Sequence, residues 1–169
     1  MKGVLVGLLA VGLLVGAPRL PAEGSITVAA DISLQRSGFL AYLTSFAEAG
    51  SGISITWKAL DDEQVIRLAR EGRVEAIIVS SPQAEDQLMR DGAGALRLRV
   101  MIQGKDQYDA IALNPGRWSN KLATALEFLR WISSTKGQKT IAGFSPPEGV
   151  APYNPNAGTE TCTECEARQ

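Results

Sequence analysis

Short apolar runs rich in branched residues alternate along this chain with segments whose apolar residues recur every three or four positions, and Gly, Pro, Asp and Ser separate them. Ile26 to Ala30 reads as a first strand, and Ser37 to Gly50 as a helix whose Phe39, Leu40, Leu43, Phe46 and Ala47 share one face. Gly50 and Gly52 end that helix, and Ile53 to Leu60 forms the second strand. Asp61 and Asp62 offer an N-cap for a helix carrying Val65, Ile66, Leu68 and Ala69, which stops at Gly72 before the buried strand Ala76 to Val79. A further helix starts at Pro82 and runs through Leu88 and Met89 to Gly92 and Gly94. Leu96 to Ile102 and Tyr108 to Leu113 are strands flanking the turn residues Gly104, Lys105 and Asp106, a pattern that predicts a hairpin at one side of the sheet. Leu122, Leu126, Leu129 and Ile132 mark a helix that breaks near Ser134 and resumes as a short one around Gln138 to Phe144. Strands alternating with helices in this way predict an α/β fold with a mostly parallel sheet flanked by helices.

The two ends differ from this pattern. Lys2 precedes an unbroken apolar run from Gly3 to Ala17, followed by Pro18, Pro21 and the small-residue stretch Ala22-Glu23-Gly24, which is the layout of a secretory signal over residues 1–24. The rival is an uncleaved anchor, for which the run falls short of the roughly 20 apolar residues of a comfortable span. Both predict an exported, periplasmic domain over residues 25–145, touching a membrane only through an uncleaved leader. Beyond Ser145 the composition turns to Pro, Gly, Asn and charge, an irregular tail over residues 146–169.

Charge and histidine content narrow the function classes. Lys2, Arg19 and Glu23 leave with the leader, so 17 basic and 18 acidic residues become 15 and 17. No basic surplus remains for neutralising phosphates, which argues against nucleic acid as a partner. The chain has no histidine, which removes Ser-His-Asp and Cys-His catalysis, histidine metal sites and c-type haem attachment. Paired catalytic carboxylates, a nucleophile elbow and a Gly-rich phosphate loop are also missing from the sequence, so it reads as a non-enzyme without a cofactor. Trp57, Trp118 and Trp131 read as core or groove-lining residues.

The stretch with most chemical content is ITVAADISLQRSGFLAYL, a strand, a polar turn holding Ser33, Arg36 and Ser37, and a helix. Backbone N–H groups at such a turn converge where the positive end of a helix dipole favours an anion. Ser80 and Ser81, just before Pro82, supply two more hydroxyls at another helix start. Carboxyl ends of parallel strands share one edge of a sheet, where ligands usually bind. Serine at these places has a plainer explanation as well: Ser33, Ser37 and Ser81 are good N-caps.

These residues carry a family resemblance. AADISLQRSGFL resembles the Thr/Ser-rich loop, ending in Ser-Gly-Leu, of the periplasmic solute-binding proteins that deliver tungstate or molybdate to ABC importers. GRVEAIIVSSPQAEDQLM is similar to their second ligand loop with its Pro-containing helix start. DAIALNPGRWSNKLATALEFLRWISSTKGQKTIAGF and PYNPNAG resemble their closing stretch. The resemblance runs from Ile26 to Gly158 but lacks one of the family's two lobes, because the strand near Leu98 to Gly104 leads almost directly into the segment that normally returns from lobe two. It implies a single periplasmic-binding-protein-like lobe with half a ligand cage and no clamshell hinge. The candidate ligand-binding residues are Ser33, Arg36, Ser37, Gly38, Ser80 and Ser81. The first loop departs from the pattern: Ala30, Asp31, Ile32 and Leu34 stand among the expected hydroxyl residues, and Asp31 would repel an oxyanion if it faced the pocket. Arg36 would offset that charge.

Cys162 and Cys165 form a C-x-x-C in the tail. Structural zinc needs four ligands, haem attachment needs a histidine where Glu166 stands, and a thioredoxin-like couple belongs at a helix start inside a domain. A small disulfide ring or a covalent link to a partner is the plainer expectation in an oxidising compartment. Two functions follow. One is an accessory or docking subunit of an envelope complex, with an apolar patch expected on the edge of Ser33 and Ser81 or on the face left by lobe two. The other is a tungstate-, molybdate- or sulfate-like oxyanion-binding protein for an ABC permease, its cage completed by another chain.

Overall fold

The alternating pattern folds into one five-stranded sheet with helices on both faces, in a computed structural model that describes residues 24–102, 106–115 and 120–146. In chain order the elements are β1 (Gly24–Asp31), α1 (Ile32–Arg36), α2 (Phe39–Ser51), β2 (Ile53–Leu60), α3 (Asp62–Arg70), β3 (Ala76–Val79), α4 (Pro82–Arg90), β4 (Gly94–Ile102), β5 (Asp106–Leu113), α5 (Leu122–Ser133) and α6 (Thr135–Ala142). The spatial order is β2-β1-β3-β5-β4. β1 pairs in parallel with β2 and β3, while β5 lies antiparallel between β3 and β4. All strands but β5 therefore run the same way, and the β4–β5 pair closes one side of the sheet as the sequence predicts. The turn residues Gly104 and Lys105 lie outside the described residues, as do Trp118, the leader up to Glu23 and the tail with Cys162 and Cys165.

Strand alternation divides the core in two. Ile26, Val28 and Ala30 of β1 and Ile78 of β3 face α2, α5 and α6, packing with Phe39, Leu43, Phe128 and Leu129. Ala29 of β1, Ile77 and Val79 of β3 and Ile111 of β5 face α3 and α4, packing with Val65 and Leu88. A sheet buried on both faces needs apolar residues at consecutive positions, which is why Ala76–Val79 reads as an unbroken apolar run. Trp131 is buried at 7% exposure and Trp57 is half-buried, its Nε1 donating to Thr44 Oγ1 at 2.7 Å. Both therefore serve the core.

The polar turn expected before α2 is itself helical. Residues 32–36, read as a polar turn, form the short α1, and Gly38 breaks the chain before α2 with a φ of 80°, a left-handed conformation that a side chain would strain. At the other end α6 crosses α5 so closely that a Cβ on Gly137 would meet the Trp131 carbonyl oxygen at 2.1 Å. That carbonyl is main chain and has nowhere to go. Gly137→Ala is expected to cost about 1–3 kcal/mol through overpacking, despite alanine's better helix propensity. Urea unfolding checks it; an unchanged or raised midpoint would refute the contact.

Candidate functional site

Register places the candidate loops side by side. Ala30 of β1 lies opposite both Ala59 of β2 and Ile78 of β3, and Val79 of β3 lies opposite Asp109 of β5. The carboxyl ends of β1, β2, β3 and β4 and the amino end of β5 thus share one edge of the sheet, the edge where open α/β sheets bind ligands. Ser33, Ser37 and Gly38 follow β1 there, and Ser80 and Ser81 follow β3.

The hydroxyls of the first loop are turned inward. Asp31, not Ser33, is the N-cap of α1: its carboxylate accepts the Ser33 N–H at 2.6 Å and also the Ser33 hydroxyl. The Ser33 Oγ lies 3.2 Å from the Tyr108 hydroxyl, and both residues are buried. Ser37 is the C-cap of α1, its Oγ donating to the Leu34 carbonyl at 3.0 Å and accepting the Phe39 N–H at 3.4 Å. Ser81 alone of the three serines holds an N-cap position, and it makes no side-chain capping bond. Arg36 stands exposed in the last turn of α1. The sheet brings the two serine loops together, but an arriving anion finds the buried serine hydroxyls already engaged and Arg36 pointing to solvent.

Carboxyl groups dominate the same edge. Asp62, the first residue of α3, faces Asp31, and its carboxyl is pushed up to about 6 by burial first and then by hydrogen bonding and repulsion from Asp31, with Asp61 adding to it. Asp62 Oδ1 is buried without a donor among the described residues. With no protein donor to that oxygen among the described residues, burial beside Asp31 favours the neutral Asp62 carboxyl. Next to it α3 and α4 enclose a groove of about 540 Å³ reached by Asp62, Ile66, Arg67, Ser81 and Ala84.

A second acid pair lies under α4. Glu85 is pushed up to about 8 by burial, then by hydrogen bonding and repulsion from Asp109; Arg97 and a hydrogen bond from the Ser81 backbone N–H pull it down. Arg97 Nε lies 3.3 Å from Asp109 Oδ2, and Arg97 Nη1 lies 2.6 Å from Asp86 Oδ1.

Asp62, Glu85, Tyr108 and Asp109 were not legible as site residues. Asp109 gave the one sequence signal, a lone charge in an apolar strand run, YDAIAL. No group of residues fit to hold a metal ion occurs among the described residues. The expected apolar patch is not on this edge either: among the described residues the exposed large apolar side chains are Phe46 on α2 and Leu96 near the far end of β4. No described helix is long and apolar enough to cross a membrane.

No protein-family model and no curated protein matches the chain. Solved structures do. TupA, the tungstate-binding protein of Desulfovibrio alaskensis G20, superposes with a TM-score of 0.66 over 72% of this chain and 95% of its own, at 15% identity. The tungstate ABC transporter protein of Geobacter sulfurreducens matches with a TM-score of 0.65 over 71% of this chain and 98% of its own, at 14% identity. A LysR substrate-binding domain from Wolinella succinogenes matches with a TM-score of 0.65 over 72% and 100% of the two chains, at 15% identity. Identity this low speaks for the fold alone: the chain has the fold of the periplasmic solute-binding proteins, built as a single α/β lobe.

Proposed function

We propose that this chain is a non-catalytic, exported protein whose solute-binding-protein-like lobe serves as an accessory or docking subunit of a larger periplasmic or membrane complex. The observation that supports it is the self-satisfied ligand edge. Asp31 takes the Ser33 amide and hydroxyl, and the Ser37 hydroxyl bonds the Leu34 carbonyl, so the donors of the first loop are held by the chain itself. An oxyanion would have to break those bonds and then face both acid pairs, a repulsion of roughly 1 to 4 kcal/mol at about 4 Å. Export is supported by the signal-like leader and by the likeness to binding proteins of an ABC transporter. A partner on this edge would meet charge and hydrogen-bonding groups, the chemistry of a polar interface rim.

The other reading is an oxyanion-binding protein serving an ABC permease, with a second chain covering the open side. The serine hydroxyl left without a capping bond at Ser81 favours it, together with the tungstate-binding fold neighbours. Thermal unfolding with excess tungstate, molybdate or sulfate separates the two. A ligand at about 100 times its dissociation constant would add roughly 2.7 kcal/mol, a shift of several degrees. We expect no shift. A shift that disappears in the Ser33→Ala, Arg36→Ala double variant would overturn the docking reading in favour of binding. Isolation of the chain from native membranes as a lone monomer would also overturn it.

A further inference from the structure

Beneath the start of α4 lies a charge cluster drawn from three elements: Glu85 and Asp86 of α4, Arg97 and Arg99 of β4, and Asp109 of β5. Arg97 Nη1 is 3.9 Å from Glu85 Oε2, Arg97 Nε is 3.3 Å from Asp109 Oδ2, and Arg99 Nε is 3.4 Å from Asp109 Oδ1. The Glu85 and Asp109 side chains are only 3% and 5% exposed, whereas Arg99 is 60% and Asp86 52% exposed. Fully ionised, the cluster sets three carboxylates against two guanidiniums and leaves its surplus negative charge in the most buried part. One added proton makes it neutral. Arg97 spends its shortest contact, 2.6 Å, on the outer Asp86, and Asp109 takes both Arg97 Nε and Arg99 Nε, so Glu85, 3.9 Å from Arg97, is the least compensated carboxyl of the cluster. Across the groove, α3 presents Asp62, Glu63, Arg67, Arg70 and Glu71 on the far side of Ser81 and Ala84, a wall of mixed sign.

We propose that a proton on the Glu85 carboxyl, donated toward Asp109, latches the first turn of α4 onto the β4–β5 hairpin, and that losing this proton as the pH rises opens the Ser81 end of the sheet edge. With the proton in place, Glu85 donates to Asp109 across the α4–β5 contact. Without it, two buried carboxylates repel each other. Asp109 cannot retreat, because β5 is hydrogen-bonded to β3 on one side and β4 on the other. The middle of α4 is pinned by Leu88, which is fully buried. The first turn is what gives way, and with it the position of Ser80 and Ser81. The edge that carries the serines is in this way under the control of a proton.

Amide hydrogen exchange on the full chain at about pH 6 and about pH 9.5, corrected for intrinsic exchange rates, tests the latch. The wild-type amides from Ala84 to Gln87 are expected to open at least about tenfold more at the higher pH, one pKa unit's worth of coupling, while those of α5 and α6 stay unchanged. Glu85→Gln keeps an N–H donor toward Asp109 at every pH and is expected to abolish the difference. Equal pH responses in wild type and Glu85→Gln would overturn the latch, and so would a wild-type response spread evenly over all helices. Asp109→Asn removes the second charge and is expected to reproduce the flat response; the confined wild-type change is decisive even if either variant folds poorly.

Discussion

Raising the pH from about 4 to about 8 is expected to weaken this fold by a few kcal/mol, the reverse of the usual acid lability of small domains. The sign follows from the two acid pairs. Glu85 goes from an ordinary 4.5 to about 8 in the folded chain, and Asp62 from 3.8 to about 6. Below the ordinary values both the folded and unfolded chains carry these protons, and nothing is lost. Between the ordinary and raised values the unfolded chain has released protons that the folded chain still holds, so each added unit of pH favours unfolding by about 1.4 kcal/mol per group. The two groups act together up to about 6, and Glu85 continues alone to about 8, after which the slope vanishes. Asp62 is only half-buried, so water screens its share and Glu85 carries most of the loss. Urea titrations at about pH 4.5, 6 and 9 read the profile, with Glu85→Gln flattening the upper part and Asp62→Asn the lower. Equal stability at all three values would mean that neither pair holds its proton.

The same pairs explain why a fold shared with tungstate-binding proteins does not by itself make an anion site. Binding an oxyanion at a sheet edge relies on amides and hydroxyls left free by the fold. Here Asp31 occupies the Ser33 donors with a carboxylate of the chain itself, and burial favours the neutral forms of Asp62 and Glu85 on the same edge.

How much of this was legible in the sequence divides along local and long-range lines. β3 and α3 could be read because their signals are local: a four-residue apolar run, and Asp61 capping the Gln64 amide at 2.9 Å. The β4–β5 pair followed from two strands separated by turn residues. The helical character of residues 32–36 was missed because a stretch holding Ser33, Arg36 and Ser37 reads as a polar turn, whereas the structure makes it the short α1, set off from α2 by the left-handed Gly38. The capping roles of Ser33 and Ser37 were misjudged because the short α1 was not expected: Asp31 stands just before it and caps the Ser33 amide, and Ser37 falls at its end. Neither acid pair was visible, since Asp31 meets Asp62 through the β1–β2 pairing and Glu85 meets Asp109 through α4 packing on the sheet. Such contacts depend on topology, which no window of neighbouring residues contains.

Phe128→Ala is expected to cost about 3–5 kcal/mol, a large share of the 5–15 kcal/mol typical of a single domain. Phe128 is fully buried on α5, in the cluster that joins α2, α5 and α6 to the sheet. Its ring meets Trp57 edge-on, 6.2 Å between centroids at 71°, a contact that contributes beyond area alone. Trp57 is tied to α2 by its bond to Thr44, so the truncation would loosen three elements at once: α5, β2 and α2. A cavity there cannot collapse readily, because the strand positions beneath it are already filled by residues such as Val28 and Ala110, both fully buried. Phe46→Ala supplies the contrast. Phe46 is 43% exposed and packs chiefly on the Tyr42 ring at 5.0 Å, so its loss should stay within about 1 kcal/mol. Chemical unfolding of the two variants beside the parent measures both. A similar cost for the two would mean that the helical layer over β1 is not the organising core, and the single-lobe architecture would need a different account of what holds it.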